Sequence, residues 1–118
     1  MLAKIYHLTD PQDFELLRKK GKLTHSTNFT LSVLRRDNGD APRFGFVIPN
    51  KIVAKAHDRN RIKRVLSEGI RFQISSLNPH VDCVFLPKPS ILKAYTADIM
   101  KEVAESFTKA KIIKEKNV

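Results

Sequence analysis

The sequence predicts an α+β domain, and three observations carry that reading. Apolar residues recur with a helical period in three segments, they alternate along two others, and the run "VDCVFLP" is apolar almost throughout. In chain order these give helix, two strands, helix, strand, helix, with room for one more short strand near Leu23 to His25. At 118 residues, 42% apolar and 29% charged, the chain suits a single domain spanning 1–118 with one modest core.

Each element has its own signals. "TDPQDFELLRKKG" marks both ends of a short helix: Thr9 or Asp10 as N-cap, Pro11 at the first helical position, Asp13 near the positive end and Gly21 as terminator. Arg18, Lys19 and Lys20 fall in its last turn, where cations suit the helix dipole. "STNFTLSVLRR" alternates, with Phe29, Leu31 and Val33 on one face and Thr30 and Ser32 on the other. "DNGD" at 37–40 reads as a turn, and "RFGFVIP" alternates again, so an antiparallel hairpin is expected between these strands. Gly45 implies a close backbone approach and Pro49 a strand end.

From about Asp58 to Ser76 the period is helical: Ile62, Val65, Leu66, Ile70, Gln73 or Ile74, and Leu77 form one stripe, ending before Asn78 and Pro79. "VDCVFLP" follows as a strand buried on both faces. "ADIMKEVAESFTKA" closes the domain as a helix with Ile99, Val103 and Phe107 inward, and residues from about 112 to 118, within "KIIKEKNV", are expected to fray.

Charge is the unusual quantity. Lys plus Arg number 22 against 12 Asp plus Glu, a net +10 with a pI near 10.0. Such an excess points to a polyanionic partner, most often nucleic acid and less often an anionic membrane surface. "MLAKIYHLTDPQDF" has no apolar stretch of signal-peptide length and no run approaches a membrane span, so a cytoplasmic protein without membrane partners is expected. The single Cys83 allows neither an internal disulfide nor a zinc site and suits a small core position.

The charge concentrates in one place. Between Lys51 and Arg64 stand six cations, Lys51, Lys55, Arg59, Arg61, Lys63 and Arg64, against Asp58 alone. A helix built only for stability would carry acids in its first turns and interleave signs, whereas "HDRNRIKRVL" sets four cations against its own dipole. Phosphate offsets that repulsion, because arginine forks bind its oxygens bidentately. With the apolar stripe inward, Asn60, Arg64, Ser67 and Arg71 are expected to point outward, flanked by Arg59, Arg61 and Lys63. Asn60 suits a base edge, a ribose hydroxyl or a hydrated metal ion, and equally a helix cap.

Catalytic constellations are absent from the sequence. His7, His25, His57 and His80 lie in separate segments without metal-ligand spacing, the acids Asp10, Asp13, Glu15 and Glu68 suit helix starts and surfaces, and no nucleophile motif or phosphate-binding glycine loop occurs. No catalytic residue and no metal site is expected on this chain.

"NKIVAKAHDRNRIKRVLSEGIR", residues 50–71, resembles the signature of the bacterial ribonuclease P protein subunit, an RNR followed by a KR pair at the start of a long helix. "DFELLRKKGK", "NFTLSVLRR", "RFGFVIPNK" and "VDCVFLPKP" resemble the flanking elements of that family in order and length. The resemblance implies a two-layer α/β sandwich in the order α-β-β-β-α-β-α with a left-handed β-α-β crossover, like the second domain of ribosomal protein S5. It further implies a protein cofactor of an RNA-based endonuclease that removes 5′ leaders from precursor tRNA. One such protein would serve each catalytic RNA, which itself carries the active site and its Mg²⁺ ions. Carried over residue by residue, Arg59, Asn60, Arg61, Lys63 and Arg64 would contact the catalytic RNA, with Lys51, Lys55 and Arg71 beside them. Phe14, Arg18, Thr30, Ser32, Val47 and Lys88 would line a cleft for the leader, although plain core packing serves Phe14 equally well.

The chain departs from the family pattern at several places. Arg18 stands where some members have a second cleft aromatic, Ser32 where some have tyrosine, and Ser67 where arginine is frequent; the start lacks a basic cluster. Rival readings are a ribosomal-type structural RNA-binding protein, a DNA regulator, which lacks the preceding helix of a helix-turn-helix, and a protein-only nuclease, which lacks clustered carboxylates or histidines.

Overall fold

In the computed structural model, which describes residues 2–114, every expected element forms: α1 (Pro11–Lys20), β1 (Lys22–His25), β2 (Phe29–Arg35), β3 (Arg43–Phe46), α2 (Ala56–Gln73), β4 (Val81–Pro87) and α3 (Thr96–Lys109). Asp10, not Thr9, caps α1, accepting the Gln12 amide at 2.9 Å. Gly21 ends that helix for a steric reason: a Cβ there would lie 2.1 Å from Ser32 Oγ and 2.4 Å from the Leu17 carbonyl. Helix α2 begins two residues before the expected Asp58, and Ile74–Ser76 continues it as a 3-10 turn.

The strand order is β1-β2-β4-β3, antiparallel except for the parallel pair β3–β4. The expected hairpin between β2 and β3 is therefore incorrect: the two strands run in opposite directions, but β4 lies between them. The physical cause is β4 itself. Six of its seven residues are buried, so it needs a neighbour on each side and a layer on each face. The connection from Arg36 to Pro42 is long enough to leave that gap, with Gly39 supplying a backbone at φ 141°.

One sheet face carries Phe29, Leu31, Phe44, Cys83 and Phe85, packed against Ile62, Leu66 and Ile70 of α2 and Ile99, Val103 and Phe107 of α3. Phe85 is the hub, with ring centroids 5.2 Å from Phe29, 5.9 Å from Phe46 and 6.1 Å from Phe107. Cys83 is fully buried in this core, which pushes its thiol pKa far up and leaves it inert. Helices α2 and α3 run in the same direction, since Arg61 meets Ala94 while Gly69 faces Val103. The opposite sheet face is only partly covered, by α1, through Leu17 against Val84 with Leu8, Phe14 and Leu86 around them.

Two polar clusters tie the sheet to its surroundings. Asp82, buried on β4, receives two hydrogen bonds from Arg43 at 2.8 Å each and lies 3.1 Å from Arg36 Nε, a charge contact without hydrogen-bond alignment. Arg43 also reaches Asp13 of α1 at 3.3 Å, and Arg36 donates to the carbonyls of Ala41 and Pro79. At the other end of β2, Glu102 of α3 accepts from Ser26 Oγ at 2.6 Å and from the Asn28 amide at 2.9 Å.

Burial acts to raise the Glu102 pKa, but the hydrogen bonds from Ser26 and Asn28 outweigh it and hold the carboxyl below its ordinary 4.5. A depressed folded-state pKa contributes stability that is present above the unfolded value and lost as pH falls through the folded one. Glu102→Gln is therefore expected to lower the melting temperature at pH 7, with the gap from wild type narrowing below about pH 4. Thermal melts of both proteins from pH 7 to 3 check this; a gap that widens with acid would refute the assignment.

Residues 112–114 are not frayed. Ile112 is fully buried, its carbonyl accepts the Asn78 amide at 2.8 Å, and the Lys114 amide donates to Ser76. Lys111, at φ 60°, turns the chain back so that two isoleucines close over the end of α2. The remaining residues of that expectation, 115–118, lie outside the described ones.

Candidate nucleic-acid interface

Helix α2 presents its basic residues in two groups. Arg59 is committed internally: its Nη1 donates to the carbonyls of Ile48 at 2.5 Å and Val53 at 3.3 Å and to Asn50 Oδ1 at 3.0 Å. Those bonds brace the loop that carries Lys51 and Lys55 into the helix, both of them exposed. Arg61 Nη2 donates to the Ala94 carbonyl at 3.1 Å. Asn60, Lys63 and Arg64 are exposed and have no hydrogen-bond partner among the described residues. Asn60 sits inside the helix, whose N-cap is Lys55, so it does not cap it. Arg71 pairs with Glu68 three residues back and lies over the Phe72 ring at 5.3 Å, a pairing that lowers the Glu68 pKa.

Ser67 corrects one expectation. It points inward at 7% exposure and, with Lys63, lines a pocket of about 260 Å³ against Leu2 and His7. The segment before α1 crosses that side of the helix, and a small side chain fits under it. A periodicity argument sees only the core stripe and cannot see a chain segment laid beside it.

The uncovered sheet face and α1 enclose a cleft of about 660 Å³. Phe14, Arg18, Ser32 and Val47 all line it, together with Leu23, Val84 and Leu86, which the sequence reading did not single out. Val84 and Leu86 were discernible in principle as the alternate positions of β4 facing away from Phe85. Two other expected residues stand apart: Thr30 Oγ1 lies 3.2 Å from His25 Nδ1, and Lys88 Nζ donates to the Ser26 carbonyl at 2.6 Å. The cleft lining is mostly apolar, and its charges oppose each other: Arg18 donates to Glu15, which holds that carboxyl below its ordinary range. Such a lining suits base faces better than phosphates.

Gly45 gives Phe14 its seat. A Cβ at Gly45 would lie 2.5 Å from the Phe14 ring, too close to coexist with it. Gly45→Ala is expected to swing that ring within the cleft while the buried core stays intact, changing ligand affinity at the cleft about tenfold with a small change in melting temperature. Titration of a single-stranded RNA oligonucleotide against both proteins checks it; unchanged affinity would detach Phe14 from the site.

The Asp82 cluster is the feature sequence reasoning missed entirely. Among the described residues, no three His, Cys, Asp or Glu side chains come together as a metal cradle. Arg43 occupies both Asp13 and Asp82. No helix among them is long and apolar enough to cross a membrane.

Comparison with known proteins agrees with this architecture. The family model described as Ribonuclease P matches residues 2–111. The ribonuclease P protein component of Nitrosococcus oceani is 36% identical over 84% of this chain and 82% of its own length. That of Pseudoalteromonas atlantica is 34% identical over 86% and 83%. Among solved structures, the Staphylococcus aureus RNase P protein superposes with a TM-score of 0.83 at 22% identity, covering 92% of this chain and 98% of that one. The Thermotoga maritima RNase P protein gives 0.74 at 23%, covering 84% and 92%. With a mixed α+β fold, a four-stranded sheet and three helices shared with those structures, this chain belongs to the ribonuclease P protein family.

Proposed function

We propose that this chain is the protein cofactor of ribonuclease P, docking on the catalytic RNA through α2 and holding the 5′ leader of precursor tRNA in the cleft. The observation that carries the reading is the pairing of two unlike surfaces on one fold: an exposed cationic helix whose Asn60, Lys63 and Arg64 side chains have no partner among the described residues, and an apolar cleft built around Phe14. Phosphates neutralise the first, and unpaired bases stack in the second. Arg59 acts chiefly by holding the surface in shape, because its guanidinium already bridges the carbonyls of Ile48 and Val53, whereas Arg61 commits one donor to Ala94 and keeps the others for phosphate.

Cleavage itself belongs to the RNA in this account. Mg²⁺ held there would act as the Lewis acid that activates water and stabilises the charge developing on the phosphate; this chain orients the leader and neutralises phosphates around it. The experiment compares affinity for precursor tRNA with a leader and for mature tRNA, using a bacterial ribonuclease P RNA with and without the protein. Leader-dependent tightening of at least about tenfold on adding protein supports the proposal. Equal tightening for both tRNAs would favour a structural RNA-binding protein.

A further inference from the structure

Tyr95 has 78% of its surface exposed, more than any other large apolar side chain among the described residues. Neither packing nor capping accounts for it. It stands immediately before α3, where Ser, Thr, Asp or Asn would supply a cap, and its side chain makes no cap hydrogen bond.

The backbone around it is fixed. Ile91 is fully buried under the preceding turn, the Ala94 amide donates to Ile91, and the Tyr95 carbonyl accepts the Ile99 amide at 3.1 Å. Arg61 of the basic helix holds the Ala94 carbonyl, so Tyr95 follows directly on a residue pinned to α2. Because α2 and α3 run in the same direction, their starts lie at one end of the molecule. From Lys88 to Thr96 the chain carries two lysines and no acid; the next carboxylate is the exposed Asp98. An aromatic ring exposed to water, two residues after the exposed Lys93 and one after the residue that Arg61 holds, suits a nucleotide whose base stacks on it while neighbouring phosphates meet the cations of this end of the molecule. A protein partner would need a wider apolar patch than this ring and the half-exposed Leu92 provide.

We propose that Tyr95 is a stacking platform for an unpaired base of the catalytic RNA, extending the docking surface of α2 across the start of α3. The inference rests on the reading of α2 as the RNA-docking helix. The test measures binding of the full chain to a bacterial ribonuclease P RNA across a salt series, for wild type, Tyr95→Phe, Tyr95→Leu, Tyr95→Ala and, as reference, Arg64→Ala. Tyr95→Phe is expected to bind like wild type, and the Leu and Ala variants at least about fivefold more weakly. All Tyr95 variants are expected to keep the wild-type salt slope, since no phosphate contact is removed. Wild-type affinity in Tyr95→Ala or Tyr95→Leu, or a flattened slope in either, would overturn the platform. If wild type itself does not bind, the docking reading falls and this inference with it.

Discussion

Asp82→Ala is expected to destabilise the protein by about 3–5 kcal/mol, because it leaves the partly buried Arg36 guanidinium without its counter-charge and Arg43 with Asp13 alone. Asp82 is 3% exposed, bonded twice by Arg43 and approached by Arg36. Losing it frees Arg43 from β4 and loosens the link through Asp13 to α1, so the cleft wall is expected to suffer with the fold. Urea denaturation measures the effect as a lower midpoint at similar slope. Replacing Asp82 and Arg43 together by apolar residues of similar size is expected to restore part of the loss, since burying an ion pair carries its own desolvation penalty. An unchanged midpoint in Asp82→Ala would show that the cluster is solvated.

On the RNA side, Arg64→Ala is expected to give the cleanest large effect. Arg64 is exposed and has no partner among the described residues, so its removal leaves the fold untouched. A charge-assisted contact to phosphate is worth about 1.5–3 kcal/mol, so docking on the catalytic RNA should weaken more than about tenfold. The slope of log K against log salt should flatten by about 0.7–0.9 for the one lost contact. Arg61→Ala is expected to weaken docking as well, but with a second consequence: the Ala94 carbonyl loses its donor and the start of α3 loosens. An unchanged slope in both variants would sink the assignment of these side chains to phosphate.

The residues differ in how openly they declare these roles. The three α-helices and strands β2, β3 and β4 follow from local signals, since caps, periods and turn residues act within a few positions of themselves, while the short β1 shows only as a possibility. Pairing order does not. The turn at 37–40 suggested a hairpin because nothing local says that a strand more than forty residues downstream inserts between its arms. The clue was present in "VDCVFLP": a run buried on both faces belongs in the middle of a sheet.

The interface was legible in the same uneven way. Cation density around Asn60 stands out in any reading, but which arginines are free depends on carbonyls at Ile48, Val53 and Ala94, contributed by loops whose paths the sequence does not state. Phe14 and the close approach at Gly45 are each legible in the sequence; that the two are one contact is visible only in the fold. Asp82 went unnoticed because an acid inside an apolar strand looks like an interruption until Arg36 and Arg43 converge on it.

The most direct measurement of the central claim is cleavage of a precursor tRNA at low Mg²⁺ by a bacterial ribonuclease P RNA alone, by this protein alone, and by the two together, with a Lys63→Ala/Arg64→Ala variant as a fourth arm. The expected result is cleavage at the mature 5′ end only in the mixture, with the variant requiring at least about tenfold more protein for the same rate. Cleavage by the protein alone, or no stimulation by wild type of an RNA that is active at high Mg²⁺, would contradict it.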